Sequence, residues 1–277
     1  MNKVKIIADS LHPNGKIRLT TFELRYWRGI HAEVMTHRVF SRNAGSSRAK
    51  PVKKVLEQVW NDPAGPIHWG VNQPGMQAKK ELGGWKKKAA QSLWKFSGRL
   101  MCIMAWCMMK IGLHKQVANR ILEPWQYIDV VLSSTEWDNF WELRCHEDAQ
   151  PEFQSLARQM RSIYQQSVPT QLGYTEWHLP YIRPQDWIEA QEWVTPYRGT
   201  LDVLKMVSTA RVARVSYTPF DGNGSFGREI DRHDKLVGSR PIHASPTEHI
   251  ARPLCETTKG NFSSFMQYRE EVENRIK

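Results

Sequence analysis

Between positions 20 and 26 the chain alternates strictly, with Phe22, Leu24 and Tyr26 on one side and Thr21, Glu23 and Arg25 on the other. A period of two marks a strand with one face against a core. The pattern predicts a strand over 18–26 and another over 4–9, joined by the turn-forming HPNG at 12–15. After that the period lengthens. Residues 29–38 read as a helix and 52–61 as a short amphipathic one, with Pro/Gly/Asn/Trp-rich loop over 62–75. Residues 76–123 read as mostly helical with a break near Gly112, and 125–132, 135–147 and 151–166 as further helices. The stretch 167–198, dense in proline and tryptophan, reads as a long ordered excursion. A helix follows over 200–216, a flexible loop with Gly222, Gly224 and Gly227 over 218–227, and strand-like chain over 248–254. No internal repeat or low-complexity tract interrupts this. The expectation is a helix-dominated α+β fold with a small mixed or antiparallel sheet, forming one domain over 1–277. Its parts are a strand–helix unit with its loop (1–60), a helical insertion (61–123), helices (124–166) and a closing segment (199–277).

Charge changes the picture. The 277 residues carry a formal charge of +11, and the pI is about 9.6. That balance favours anionic partners: nucleotides, nucleic acid or acidic membrane. The longest apolar run, 100–109, falls short of the roughly 20 residues a bilayer span needs, so no membrane is expected, and the run reads as core or an oligomer face. The N-terminus has no secretory apolar region. The cysteines are widely spaced with no CxxC pair, so neither a metal site nor a disulfide framework is expected, and the reducing cytoplasm is the expected compartment. Cys102 and Cys107, in the apolar run, read as core.

Three segments carry candidate chemistry. THRVFSRNAGSSR (36–48) gathers His37, Arg38, Arg42 and Arg48 with Ser41, Asn43, Ser46 and Ser47, without an acid. Arginine forks and neutral donors around exposed backbone suit a phosphate or carboxylate. The plainer reading is a solvated basic loop or a patch for nucleic-acid backbone. In NFWELRCHEDAQPE (139–152), Phe140 and Leu143 are expected to face the core while Arg144 points into a cleft. The alternative is a surface pair of Arg144 with Asp148 or Glu147. PIHASPTEH (241–249) opens a tight turn at Ser245-Pro246 flanked by histidines, with spacing unsuited to a metal. Upstream, Arg211 and Arg214 share one helical face, and Ser216 stands at its end.

Taken together, THRVFSRNAGSSR, NFWELRCHEDAQPE, ARVSY and HASPTEH resemble the four signature segments of the flavin-dependent thymidylate synthases. In the commoner members the last two segments precede the Arg-His-Arg motif. Here they follow it, so the chain resembles a permuted long form, and 248–253 is expected beside the strand 20–25. The resemblance implies FAD as cofactor, methylenetetrahydrofolate and NADPH as co-substrates, a pyrimidine deoxynucleotide (dUMP) as substrate, and active sites between subunits of a homotetramer. It implies flavin contacts at His37, Arg38, Asn43, Asn139, Ser216, His243 and Ser245, the last three making 199–277 a flavin-contacting segment. It implies nucleotide contacts at Glu33, Ser46, Ser47, Arg48, Arg120 and Arg144, with Arg144 as the catalytic group that polarises the pyrimidine.

Three positions depart from the family pattern. Thr36 stands where the first arginine of the triplet belongs, Ala44 replaces a glutamate, and Glu33 replaces a glutamine. Arg42 is a candidate for the missing charge. These departures leave room for hydroxymethylation, or for a dCMP-type substrate, since an ionised carboxylate only accepts hydrogen bonds. A reading from another class is a non-catalytic nucleic-acid-binding protein, in which HASPTEH and NFWELR have no natural role. A nucleophilic Cys145 is disfavoured, because adjacent helical residues point about 100° apart.

Overall fold

The computed structural model describes residues 2–216, 222 and 224–275. Strands β1 (Lys3–Leu11) and β2 (Arg18–Trp27) pair antiparallel, with Val4 opposite Leu24. A 3-10 turn (Arg28–Ile30) leads to the single-turn helix α1 (His31–Val34) and then to β3 (Ser41–Ala44). Helices α2 (Val52–Asn61), α3 (Gly84–Lys110) and α4 (Lys115–Ala118) precede a second 3-10 turn, Arg120–Trp125. Then come β4 (Tyr127–Ser134), α5 (Asp138–Cys145), α6 (Pro151–Gln166), β5 (Thr170–Gln171), α7 (Pro184–Gln191), α8 (Thr200–Arg214) and α9 (Phe226–Val237). A third 3-10 turn, Ser245–His249, is followed by β6 (Ala251–Pro253), β7 (Phe265–Gln267) and α10 (Tyr268–Asn274).

The main sheet has the order β3-β4-β2-β1-β5. All its pairings are antiparallel except β1 with β5, so the small sheet is mixed, as expected. Its two faces enter two apolar layers. Phe22, Leu24, Tyr26, Ile128, Val130 and Leu132 pack with Phe140, Trp141, Phe153, Leu156 and Met160 of α5 and α6. Val131 points the other way, among Val203, Val207 and Ile250. Each large side chain buried there stabilises the fold by about 1.5–3 kcal/mol. A smaller cluster joins α2 and α3 through Val55, Val59, Cys102, Ala105 and Leu122.

β4 overturns the helix expected over 125–132. Residues 130–134 of YIDVVLSS are buried on both faces, so the clean apolar/polar alternation of a one-sided strand is missing from its Val-Val-Leu centre. Other corrections are local. The helix expected over 29–38 stops at Val34, and 76–83 is not helical. The excursion contains α7, and α9 starts inside the expected flexible loop; positions 218–221 and 223 of that loop, and Tyr217 of ARVSY, lie outside the described residues. Over 248–254 the chain finishes a 3-10 turn before three strand residues, and β6 pairs with β7 rather than with β2. Ala251 nevertheless packs in one cluster with Leu19 of β2. Leu143 is 51% exposed, because Phe140 and Trp141 already fill the inward side of α5. Cys107 is exposed, while Cys102 is buried as expected. No helix among the described residues is long and apolar enough to cross a membrane.

Candidate functional site

The loop 36–48 is not a free basic loop. Its middle is β3, which adds to β4 at the sheet edge with Ser41 opposite Ser133 and Ala44 opposite Val130. Rigid strand backbone therefore holds the donors on both sides of it.

On the N-terminal side, His37 is buried and stacks on Phe40 (ring centroids 5.6 Å) and edge-on against Phe140 (5.1 Å). Its Nε2 accepts a hydrogen bond from Arg144 Nε at 2.8 Å. The proton of a neutral ring is then on Nδ1. Burial, and then the charge of Arg144, lower the His37 pKa to about 4, which keeps the acceptor available near neutrality. Arg144 also donates to Thr36 Oγ1 at 3.2 Å and lies over the Phe153 ring, 4.7 Å from its centroid. Neither Asp148 nor Glu147 pairs with it: Asp148 is engaged by Lys79 and His146. Thr36 Oγ1 in turn donates to the Glu33 carbonyl at 2.6 Å. The Glu33 side chain adds a buried Oε2 without a hydrogen-bond partner. Arg42 is spent on backbone, donating to the carbonyls of Met35 (2.5 Å) and His37 (3.5 Å). Cys145 packs against the core layer.

On the C-terminal side, Ser47 is buried and donates to Glu123 Oε1 at 2.6 Å. The same oxygen receives Arg120 at 3.1 Å and Arg28 at 3.2 Å. The fold thus brings Arg120 to the loop, although a carboxylate stands between it and Ser47. Asn119, fully buried, donates to the carbonyls of Ser47 (2.8 Å) and Lys50 (2.9 Å) and fixes the curve of the loop. Ser46 and Arg48 are exposed, and the Ser46 hydroxyl accepts the Arg48 N–H at 3.3 Å. Arg38 is exposed too. Neither the Arg38 nor the Arg48 guanidinium has an ion-pair partner among the described residues. Glu123 and Asn119 were not legible as site residues, since isolated polar positions outside a motif carry no signal until the fold closes around them.

In the middle, Asn43 Nδ2 donates to the carbonyls of Val212 (2.7 Å) and Ala213 (3.3 Å). These belong to the last turn of α8, where the Val212 carbonyl also accepts the Val215 N–H at 2.9 Å. Helix α8 ends at Val215 with φ 57°. A β-branched residue in that region is strained by about 1–3 kcal/mol, and it swings Ser216 off the helix axis. Gln267 Nε2 donates to Ser41 Oγ (2.9 Å) and to the Glu248 carbonyl (2.7 Å), tying β3 to the Ser245–His249 turn. Ser245 and His243 are exposed at the mouth of that turn. Asn139 is exposed in the first turn of α5, and, like Arg38, His243 and Ser245, it has no hydrogen bond to another predicted position among the described residues. Segments far apart in the chain, 36–48, 139–152, 211–216 and 241–249, therefore meet along one sheet edge.

Fold and site define a three-layer α+β protein with a cationic, donor-rich sheet edge. A family model described as thymidylate synthase complementing protein matches residues 18–170, more than half of the chain, and the chain belongs to that family. The ARVSY and HASPTEH segments lie beyond the matched span. No curated protein sequence matches the chain. Among solved structures, the fold is similar to a UMP/dUMP methylase, PolB from Streptomyces cacaoi, bound with 5-Br dUMP: 13% identity, 60% of this chain and 91% of that chain covered, TM-score 0.48. The same enzyme bound with 5-Br UMP gives 15% identity, 60% and 89% coverage, and a TM-score of 0.46.

Proposed function

We propose that this chain is a flavin-dependent thymidylate synthase-type methyltransferase that converts dUMP to dTMP, with methylenetetrahydrofolate as carbon donor and NADPH as reductant. The observation that carries this reading is the state of Arg144. It is half-buried, has no carboxylate partner among the described residues, and is oriented by a neutral imidazole and a hydroxyl. A guanidinium held in this way keeps its full charge for a ligand. Uracil C5 becomes nucleophilic as negative charge develops at O4, and a preorganised cation beside that oxygen stabilises it as an oxyanion hole does. His37, held neutral, orients Arg144 without neutralising it.

The donor set fits an FAD and a nucleotide. Arg38 and Arg48 offer guanidiniums without ion-pair partners, Ser46 offers an exposed hydroxyl while Ser47 anchors the loop through Glu123, and Asn43, Ser216, His243 and Ser245 are assigned to the flavin side. FAD, when bound, supplies the redox chemistry and one-carbon handling, while the protein places the substrates and excludes water. Assembly as a homotetramer is supported by α3, which leaves Leu93, Phe96, Ile103 and Trp106 at 66, 65, 47 and 49% exposed. A helical stripe of that kind is an association face rather than a solvated surface.

One observation favours a second reading. The buried, unpartnered Oε2 of Glu33 is an acceptor without a donor. A cytosine edge would supply one through its 4-amino group, which points to a dCMP-type nucleotide, methylated or hydroxymethylated. The deciding experiment is mass spectrometry of the nucleotide after incubation with FAD, NADPH, methylenetetrahydrofolate and either dUMP or dCMP. A methylated dUMP product is expected. A hydroxymethylated product changes the reaction, turnover of dCMP alone changes the substrate, and no turnover with no bound flavin sinks the reading.

A further inference from the structure

A chain of polar side chains runs through the interior behind the site. Ser10 Oγ meets His178 Nδ1 at 2.8 Å, and His178 Nε2 meets Thr21 Oγ1 at 2.7 Å. Thr21 Oγ1 meets Ser133 Oγ at 2.6 Å, and Ser133 Oγ meets His249 Nδ1 at 2.7 Å. All five residues are buried, with exposures of 5, 1, 0, 0 and 0% in chain order along the network. They come from β1, the excursion after α6, β2, β4 and the Ser245–His249 turn, so the network joins elements the backbone leaves far apart. Backbone bonds between His178 and Ala251 (2.7 and 3.3 Å) hold its two histidine-bearing segments side by side. The far ring nitrogen, His249 Nε2, is buried and has no hydrogen-bond partner.

The hydrogens in this chain are not independent. Burial lowers the pKa of both rings to about 3, so each is neutral and carries one ring hydrogen. A hydroxyl has one hydrogen to give. If His178 carries its hydrogen on Nδ1, Thr21 must donate to His178, Ser133 to Thr21, and His249 Nδ1 to Ser133. His249 Nε2 is then a bare acceptor. If His178 carries it on Nε2, Thr21 donates to Ser133, Ser133 donates to His249 Nδ1, and His249 Nε2 is an N–H donor. These two arrangements alone place one hydrogen in each of the three contacts between the rings. In both, the two rings have the same tautomer. Any other arrangement leaves a buried hydroxyl hydrogen unpaired or sets two lone pairs against each other across one of these contacts, at about 1–3 kcal/mol.

We propose that this network is a tautomer lock that seats the Ser245–His249 turn: His178, acting through Thr21 and Ser133, fixes the tautomer of His249, whose ring anchors that turn from the inside. His178, Thr21, Ser133 and His249 are positioning residues. Ser245 is exposed on the outer side of the same turn while His249 anchors the inner side, so a turn set by the lock presents Ser245 in one orientation. The role toward flavin rests on the reading of Ser245 as a flavin contact.

The test uses the full chain labelled with 15N-histidine. Ring-nitrogen NMR without ligand is expected to give His178 and His249 the same tautomer. Thr21→Val removes the hydroxyl at constant shape, and Thr21→Ser keeps it. The valine variant is expected to lose the shared tautomer and to bind FAD about tenfold more weakly with an altered flavin absorbance band, while the serine variant keeps both. Unlike tautomers in the wild-type protein overturn the lock, and that measurement needs no variant to fold. Equal FAD affinity in the two variants overturns the seating role. Wild-type protein that binds no FAD sinks the flavin reading and leaves the lock standing, because the tautomers are read without ligand.

Discussion

Arg211 and Arg144 sit on helices that cover opposite faces of one sheet, and they are held in opposite ways. Arg211 is 3% exposed and grips Asp186 with two bonds of 2.7 and 2.9 Å, adding a third to the Tyr181 carbonyl. Its neighbour Arg214 is likewise bound to Glu229, which also receives Arg232. Among the described residues Arg144 meets an imidazole, a hydroxyl and an aromatic face, and no carboxylate. Charge buried against charge is spent within the fold, whereas charge held by neutral acceptors remains available to a ligand. Arg211 and Arg214 share one helical face, and their acids make both of them structural. The difference between the two regions lies in the partners, not in the residue type.

The largest effect that tests this contrast is at Arg211. Arg211→Ala leaves Asp186, 1% exposed, as an uncompensated buried charge. Loss of stability by about 3–5 kcal/mol is expected, read as the shift of the urea midpoint. A shift below 1 kcal/mol would mean the pair is not structural. Arg144→Ala is expected to do the reverse. Turnover falls by about 10²–10³-fold, while the urea midpoint stays near that of the wild type because no acid is stranded. Arg144→Lys should not restore turnover, since an ammonium cannot reproduce the fork that serves Nε and Nη2 together. Retained turnover in Arg144→Ala ends the proposed role.

pH separates the regions in a second way. The folded His37 pKa is about 4, below the ordinary imidazole value near 6.5. As pH falls from about 6.5 towards 4, the unfolded chain takes up a proton that folded His37 refuses, so stability declines across that window and levels off below it. His178 and His249 act with the same sign and extend the decline towards pH 3. A His37→Asn variant should lose less stability between pH 6.5 and 4 than the wild type, as measured by urea midpoints. An identical slope would show that His37 is not held neutral by burial beside Arg144.

Much of the frame was legible because its periodicity is strong. The amphipathic helices 52–61 and 151–166 fall where the pattern placed them, and the alternation of 20–26 yields β2. β4 was hidden by its own burial: a strand that packs on both faces has no polar stripe to betray it. α9 was hidden behind glycines that suggested only loop. Within the site, motif residues such as His37, Ser47 and Arg144 stood out by type, but the bond from Arg144 to His37 depends on α5 crossing the sheet edge. Asn119, Glu123 and His178 are single polar residues in unremarkable surroundings. Only closure of the fold turns them into a loop clamp, a counter-charge and the centre of a hydrogen-bond chain.

Glu123 marks the place where the two modes of holding arginine meet, and it gives the smallest but sharpest test. Its Oε1 takes Ser47, Arg120 and Arg28 together, so this end of the anion loop is partly neutralised while the Arg144 end is not. Such half-exposed pairs contribute about 0–1 kcal/mol each, and Glu123→Gln should therefore leave stability nearly unchanged. The glutamine carbonyl still accepts from Ser47, so the loop keeps its shape. What changes is the competition: without the carboxylate charge, Arg120 and Arg28 are free to meet an external anion. Binding of inorganic phosphate, measured by isothermal titration, is expected to tighten by about threefold, equivalent to roughly 0.6 kcal/mol, with a steeper dependence on salt. Unchanged or weaker phosphate binding would remove Arg120 from the proposed phosphate site and make Glu123 an ordering residue of the loop, of the same kind as Asp186 beside Arg211.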